Sequence, residues 1–295
     1  MARTDNLNNY LTDIATAIKT KKGDETPINA SKFDEEIANL PSGGGTDEYF
    51  VESIKVTSSG FISRCLKKIP LIDTSQVTTM NYGFRYCSSL TTIPLLNTSN
   101  VTNMTGMFSD CSSLTTIPLL NTSKVTYMDS MFSGCSSLET VPLLNTSNVT
   151  TMGSMFSACS KLTEIPNFNT QKVTSFNNAF NACSSLTTIP LLNAQKVTNI
   201  SYAFANCRAL ENLGGLYNLG EAFKTTTSAN NSSCKLDLSS CYNLTHDSLM
   251  NVINNLYDIA SIGVQTQQLV LGNTNKNKLT AEEINIAVEK GFSVS

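Results

Sequence analysis

Residues 90–113 read LTTIPLLNTSNVTNMTGMFSDCSS, and the next two stretches, 114–137 and 138–161, read LTTIPLLNTSKVTYMDSMFSGCSS and LETVPLLNTSNVTTMGSMFSACSK. Because these copies begin at Leu90, Leu114 and Leu138, the period is 24 residues. Phe, Pro, Val and Cys each recur in phase with it, and the Cys column contains Cys87, Cys111, Cys135, Cys159, Cys183 and Cys207. A fixed period of this length predicts a solenoid, in which each unit buries apolar side chains only against its neighbours.

Each copy predicts one coil of that solenoid. Its large apolar residues are separated by Ser, Thr and Asn, so a single copy has no core of its own. The LTTI and VTNM segments predict two short strands, with a turn at Asn97-Thr98-Ser99 between them. The segment MFSDCSSL predicts one helical turn followed by a corner. Since paired strands lie about 4.8 Å apart, about six coils form a rod of about 30 Å.

The repeat also resembles a known family. Its spacing resembles a leucine-rich repeat, and the text N-T-S-x-V-T-x-M-x-x-M-F-x-x-C-S-S-L resembles the BspA-like subgroup, over residues 63–213. That subgroup occurs in bacterial surface proteins and in phage structural proteins. The resemblance implies a β-rich leucine-rich-repeat solenoid with a role in binding.

The N-terminal residues carry a second resemblance. They contain N-L-x-x-x-L-T-D-x-A-x-A-I-x-x-K-K-G followed by P-I-x-A-x-x-F-D-x-E-I, which resembles the leader of phage tail and baseplate proteins. This resemblance implies a phage virion protein of the tail or baseplate. Other virion proteins would then be the partners of residues 1–45.

The chain divides into four predicted segments. Residues 1–45 form a small α-helical attachment unit that ends in a Gly-rich linker, and residues 46–65 form an N-terminal cap. Residues 66–213 form the solenoid. Residues 214–295 form an α/β cap, in which an irregular polar stretch precedes the order strand–helix–strand–helix–strand.

Composition excludes several classes of function. The formal net charge of −3 argues against nucleic acid or an anionic membrane as partner. No apolar run approaches the roughly 20 residues of a membrane helix. The N-terminus lacks the basic start and apolar stretch of a secretory signal, so we expect synthesis in a host cytoplasm without a signal peptide. This expectation argues against a bacterial adhesin exported by the usual route.

The nine cysteines and the single histidine offer little chemistry. Cysteines one coil apart lie about 5 Å from each other, and a disulfide would need their Cβ atoms closer and turned toward each other. The absence of C-x-x-C pairs disfavours a metal site, so we expect buried free thiols. Cys234 and Cys241 lie outside the Cys column, and a disulfide between them stays open. His246 is interpreted as a polar residue at a helix start. We therefore expect no enzyme activity, no catalytic residue, no metal and no cofactor.

Comparison of the copies identifies candidate binding residues. Core columns barely change, whereas three columns vary: Thr79, Asn103, Tyr127, Thr151, Ser175 and Asn199; Tyr82, Gly106, Ser130, Ser154, Asn178 and Tyr202; Tyr86, Asp110, Gly134, Ala158, Ala182 and Asn206. We expect them to point outward, where tyrosine is typical of contact surfaces. The predicted contact residues are Tyr82, Arg85, Tyr86, Asn103, Tyr127 and Tyr202. The alternative is unconstrained variation on a solvated face.

These observations lead to a functional hypothesis with open alternatives. Residues 71–205 contain equal numbers of acidic and basic residues, and such a neutral hydroxyl- and amide-rich surface suits a glycan, although plain solubility explains it equally. The leading hypothesis is a non-enzymatic virion protein that binds a host cell-surface protein or glycan. The alternatives are a structural or decoration virion protein without a receptor, and a bacterial cell-surface BspA-like adhesin. Homo-oligomerisation stays open.

Overall fold

The computed structural model describes residues 56–57, 60–61, 74–75, 77–225 and 234–295. The predicted helical unit and linker of residues 1–45 lie outside the described residues, as do most of the predicted cap and the start of the first coil. Within that cap, β1 (Val56–Thr57) pairs antiparallel with β2 (Gly60–Phe61). The four predicted segment boundaries stay predictions.

A parallel ladder of stacked coils confirms the predicted repeat solenoid. Single-residue parallel bridges join one position of each coil to the next, along Thr79, Asn103, Tyr127, Thr151, Ser175 and Asn199. At the first of these steps the amide N–H of Met80 donates to the Asn103 carbonyl at 2.8 Å, and the Thr102 N–H donates back to the Thr78 carbonyl at 2.9 Å. Each coil therefore satisfies its backbone through its neighbours, as solenoid units do.

The predicted strands are shorter than expected. The VTxM segments contribute only single bridges, and in the described coils the LTTI position forms a strand only in the last two copies, the first of which is β3 (Thr188–Ile189). That strand pairs in parallel with β5 (Asn212–Leu213). A 24-residue coil turns at many points, so straight runs long enough for extended strands do not develop.

The predicted helical turn in MFSDCSSL is wrong. The chain there forms successive turns in which Gly106 and Asp110 have left-handed φ values of 59° and 63°. With these two reversals in each coil, every second N–H points along the solenoid axis, and the N–H groups of Gly106 and Phe108 donate to carbonyls of the following coil at 2.7 and 2.9 Å. An α-helix would direct those N–H groups back into its own turn, so the ladder and a helix are alternatives.

The core consists of columns of identical side chains. The rings of Phe84, Phe108 and Phe132 are buried and stack with centroids 5.6 and 6.0 Å apart. Beside them, the Cys111 thiol donates to the Phe84 carbonyl at 3.1 Å, and the Cys135 thiol repeats this bond to the Phe108 carbonyl at 3.1 Å. The predicted buried free thiols are thus found, and each one also satisfies a buried carbonyl of the preceding coil.

The Cys column continues beyond Cys207 and corrects the reading of Cys241. The Cys241 thiol donates to the Phe204 carbonyl at 3.4 Å, which is the contact that each earlier column member makes one coil before. Because Cys241 follows Cys207 by 34 residues rather than 24, counting along the sequence misses it. Cys234 and Cys241 are both free cysteines, so they form no disulfide.

Longer coils of α/β type complete the described chain. The predicted irregular stretch contains β6 (Leu216–Tyr217), which pairs in parallel with β4 (Leu192–Asn193), and a 3-10 helix at Glu221–Thr225. The remaining elements are β7 (Leu236–Asp237), α1 (His246–Asn255), β8 (Gln267–Val270), α2 (Gly272–Lys276), α3 (Ala281–Glu289) and β9 (Phe292–Val294). The strands β7, β8 and β9 form one parallel sheet in that order.

Side chains hold these last coils together. The ammonium of Lys290 donates to the carbonyls of Ile253, Asn254 and Leu256 at 3.0, 2.7 and 2.9 Å. It thus caps the C-terminal end of α1, where the Ile253 carbonyl also accepts the Leu256 N–H at 3.3 Å. Burial lowers the pKa of Lys290. None of the helices in the described residues has the length and apolar character needed to cross a membrane.

Candidate functional site

Three of the predicted contact residues form one cluster near the N-terminal end of the described ladder. The guanidinium carbon of Arg85 lies 4.4 Å from the centre of the Tyr86 ring and 5.3 Å from that of Tyr82. Its Nε lies 3.8 Å from Asp110 Oδ2, close enough for an ion pair but too far for a hydrogen bond. Among the described residues that Nε is buried without a hydrogen-bond partner. We call Tyr82, Arg85, Tyr86 and Asp110 the Arg85 patch.

Backbone conformation changes the interpretation of two variable columns. Tyr82 and Tyr86 have φ values of 56° and 66°, and every other member of their columns also has a positive φ. Gly, Asn and Asp in these columns are residues that tolerate or locally stabilise the left-handed conformation. The variation therefore reflects backbone handedness as well as surface exposure. A tyrosine there costs about 1–2 kcal/mol of strain, and such strain often accumulates at functional sites.

The outward direction predicted for these columns holds only in part. The Tyr82 ring lies over the next coil, because a Cβ added at Gly106 would clash with that ring. Tyr82 and Arg85 are half-buried, whereas Tyr86 is exposed. The patch thus has a supported base and one free aromatic edge, a common arrangement for amphipathic tyrosine at interfaces.

The other three predicted contact residues lie outside the Arg85 patch. The side chain of Asn103 accepts a hydrogen bond from the Thr105 N–H at 2.9 Å, so its carbonyl oxygen supports a local turn. Tyr127 follows Asn103 in the bridged column and is exposed. Tyr202 is 64% exposed but lies five coils after Tyr82, roughly 24 Å along the ladder. Tyr202 and the Arg85 patch therefore cannot contact one small ligand together.

An exposed stripe of leucines was not predicted. Leu95, Leu119 and Leu143 are 73%, 63% and 61% exposed and occupy the same position in successive coils, so neighbours lie about 5 Å apart. The second leucine of each PLLN segment is buried instead. The adjacent pair of leucines carried this signal, because successive residues of an extended chain point to opposite sides. We call these three residues the leucine stripe.

A cleft interrupts the continuation of that stripe. Its volume is about 370 Å³, and it is lined by Asn167, Phe168, Asn169, Thr170, Gln171, Leu191, Asn193 and Tyr217. We call it the amide cleft. Sequence reasoning missed it, although Asn167-Phe168 departs from the Leu-Leu pair of the preceding copies.

Several titratable groups outside the Arg85 patch take part in structural contacts. Burial raises the pKa of the Cys183 thiol to about 12, and burial raises the pKa of the Cys135 thiol as well, which leaves both protonated and poorly nucleophilic near neutral pH. His246 begins α1, as the sequence predicted, and its Nε2 lies 2.9 Å from Glu283 Oε1 of α3. Hydrogen bonding to Glu283 raises the pKa of His246. In the parts of the chain that the structure describes, no group of three His, Cys, Asp or Glu side chains is placed to hold a metal ion.

A family profile described as "Mycoplasma protein of unknown function, DUF285" matches residues 55–141, 115–215 and 139–240, which together span more than half of the chain. Among curated proteins, none matches the chain.

Similar solved structures include three leucine-rich repeat proteins. One from Eubacterium ventriosum has 23% identity and a TM-score of 0.37, and the match covers 60% of this chain and 47% of that chain. One from T. pallidum has 16% identity and a TM-score of 0.38, with coverages of 82% and 94%. One from Bacteroides ovatus has 18% identity and a TM-score of 0.34, with coverages of 79% and 60%. The chain thus spans less than two thirds of the length of the first and third.

Proposed function

We propose that this chain, which belongs to the DUF285 family of Mycoplasma proteins of unknown function, is a non-enzymatic protein that binds a ligand on a cell surface. The Arg85 patch is the observation that carries the proposal. Two tyrosines hold strained backbone conformations around one guanidinium, which lies 4.4 Å from the more exposed ring. Tyrosine and arginine are the side chains that most often dominate the energy of contact surfaces.

The patch is prepared for binding by its support within the solenoid. Arg85 lies between two rings and next to Asp110, so its side chain is already restricted before a ligand arrives. A prearranged side chain loses less conformational entropy on binding than a free surface arginine. The guanidinium plane and the edge of Tyr86 would hydrogen-bond and stack against a protein loop or a glycan.

We also propose where this binding takes place. The resemblance of residues 1–45 to phage tail and baseplate leaders supports a virion protein, with that segment bound to other virion proteins and the solenoid directed to the host. A bacterial cell-surface adhesin is the alternative setting for the same binding. Antibody labelling of purified particles and of intact cells distinguishes them, because a virion protein labels only the particle.

Cell binding tests the proposed function itself. The full chain, labelled at its N-terminus, would be titrated onto a panel of Gram-positive cells with and without stripped surface glycans. We expect saturable binding that weakens about tenfold in the double variant Arg85→Ala, Tyr86→Ala. Lys161→Ala, which removes an exposed positive charge elsewhere on the solenoid, is the matched control and should bind as the wild type does. Binding to no strain, or equal binding by the double variant, would refute the proposal.

The leucine stripe favours a second candidate, a structural role without a receptor. Its three exposed leucines repeat at the coil spacing, so the stripe of a second copy would match it in register across a two-fold axis. Burial of these leucines would contribute hydrophobic stabilisation to such an assembly. Light scattering should then detect a dimer that Leu119→Ser dissociates. A monomer at all concentrations would exclude this candidate.

A further inference from the structure

The amide cleft lies where one coil departs from the repeat. Residues 166–171 read PNFNTQ, whereas residues 94–99 read PLLNTS. Asn167 replaces the exposed leucine, and Phe168 replaces the buried one, with its ring 6.2 Å from that of Phe156. The Phe168 N–H donates to the Pro166 carbonyl at 2.8 Å, a tight local turn. The larger core residue and the turn together give this coil its own backbone path.

The hydrogen bonds between coils also change where this coil departs from the repeat. In earlier coils a threonine hydroxyl donates to the asparagine carbonyl of the next coil, as Thr98 does to Asn121 and Thr122 does to Asn145, both at 2.9 Å. The corresponding hydroxyl of Thr146 is buried, and the described residues offer it no partner. The carbonyl of Asn169 is thus displaced from the ladder position. A buried unpaired hydroxyl costs about 1–3 kcal/mol. The irregular coil therefore lowers the stability of the fold relative to a regular copy of the repeat.

Side-chain amides converge in this cleft, and part of their hydrogen-bonding capacity is unused by the described residues. Asn169 Oδ1 and Asn193 Oδ1 each accept a backbone N–H of their own turn at 3.1 Å, which orients both amides and leaves their NH2 groups as donors. The side-chain amides of Asn167 and Gln171 are exposed and make no hydrogen bond within the described residues. Amides both donate and accept, so they can pair with neighbouring hydroxyl groups.

The remaining lining adds an aromatic surface and no charge. Tyr217 is 44% exposed, and Leu191 lies beside it at the cleft. None of the eight lining residues is ionisable near neutral pH, so nothing in the cleft would compensate the desolvation of a charged ligand. The volume of about 370 Å³ falls at the lower end of the range for small-molecule sites.

We propose that the amide cleft binds a neutral sugar residue. The hydroxyl groups of the sugar would pair with the amides of Asn167, Asn169 and Asn193. The apolar C–H face of the sugar ring would pack on Tyr217. This site lies four coils after the coil of Arg85, roughly 19 Å along the ladder. It therefore stands independently of the Arg85 patch and would hold if that patch had no ligand.

Direct binding of simple sugars tests the proposal. The full chain would be mixed with methyl glycosides of glucose, galactose, rhamnose and N-acetylglucosamine, and with glucuronic acid as a charged probe. Saturation-transfer NMR and calorimetry would report binding. We expect at least one neutral glycoside to bind, and glucuronic acid to bind more weakly.

Two variants and one control locate the site. Asn167→Leu restores the residue of the preceding copies at an exposed position, so it should fold normally and lower the affinity about tenfold, as should Tyr217→Ala. Tyr242→Ala removes a similarly exposed tyrosine outside the cleft and should leave the affinity unchanged. Circular dichroism would confirm that each variant is folded.

The outcomes separate this site from the proposed function. No binding by any neutral glycoside, stronger binding of glucuronic acid, or unchanged affinity in Asn167→Leu would overturn the sugar site. Cell binding that depends on Arg85 would survive each of those results. Conversely, glycoside binding that is lost in Asn167→Leu would stand even if the chain bound no cells.

Discussion

Alkaline pH should unfold this protein through its column of buried cysteines. Burial raises the pKa of the thiols of Cys111, Cys135, Cys159, Cys183, Cys207 and Cys241. In the unfolded chain a thiol ionises with a pKa of about 8.5. Above that pH the unfolded state releases protons that the folded state keeps. The stabilisation is therefore fully present below about pH 8.5 and is lost as the pH rises toward the folded pKa, which is about 12 for Cys183.

The size of the loss in stability follows from the number of buried thiols in the column. Each thiol with a raised pKa lowers the free energy of unfolding by about 1.4 kcal/mol per pH unit in this range. Six such thiols acting together lower it by about 8 kcal/mol per pH unit. A domain has a total of about 5–15 kcal/mol, so most of the stability should be gone by about pH 10.

Urea titrations at pH 7, 8, 9 and 10 measure this loss, with circular dichroism as the signal and a phosphine reductant present. Cys135→Ala is the comparison, because it removes one buried thiol and its 3.1 Å bond to the Phe108 carbonyl. The variant should be less stable at pH 7, and the difference from the wild type should shrink by about 1.4 kcal/mol per unit above pH 9. Parallel curves for the two proteins would show that the folded thiols ionise normally and would refute the reasoning.

Three further predictions concern single contacts. Phe132→Ala should lower the free energy of unfolding by about 3–5 kcal/mol, since its fully buried ring stacks on both neighbours in its column; urea unfolding in which Phe132→Leu costs as much would contradict this. Gly106→Ala should cost about 1–2 kcal/mol because its φ is 59° and the added Cβ meets Tyr82, and thermal unfolding should detect a smaller cost in a Tyr82→Ala background. Glu283→Gln should lower the raised pKa of His246, measured by NMR titration, and an unshifted titration would argue against their hydrogen bond in solution.

The 24-residue period was sufficient to predict most of the fold. The columns of Phe and Cys in the sequence correspond to stacked rings and to a row of thiols in the core, because a residue that must fit between two identical neighbours leaves a periodic record. The sequence did not identify Cys241 as a member of the Cys column, because an insertion changes its spacing without changing its place in the ladder. The left-handed turns were not predicted for another reason. Their columns vary in residue type, because the members share a positive φ and not a type of side chain.

The candidate sites were less accessible from the sequence. The cluster of Tyr82, Arg85 and Tyr86 could be predicted, because these residues are close together in the sequence of one coil. Tyr202 shares a column with Tyr82 but lies five coils away, so the two side chains are on the same side of the solenoid and far apart along it. The amide cleft depends on a backbone path that Phe168 and its local turn create, and no propensity of the individual residues encodes that path.

The near-identity of the copies at Leu90, Leu114 and Leu138 has a genetic consequence. Where the codons of these copies match as closely as their residues do, unequal recombination can add or remove whole units of 24 codons. In the described part of the ladder each coil bonds to the coils before and after it, as Thr102 does to Thr78 and Thr126 does to Thr102. A gain or loss of one unit therefore leaves every column in phase and changes the length by about 5 Å. Such a gene can vary the reach of its product in single steps while the two ends of the chain keep their own sequences.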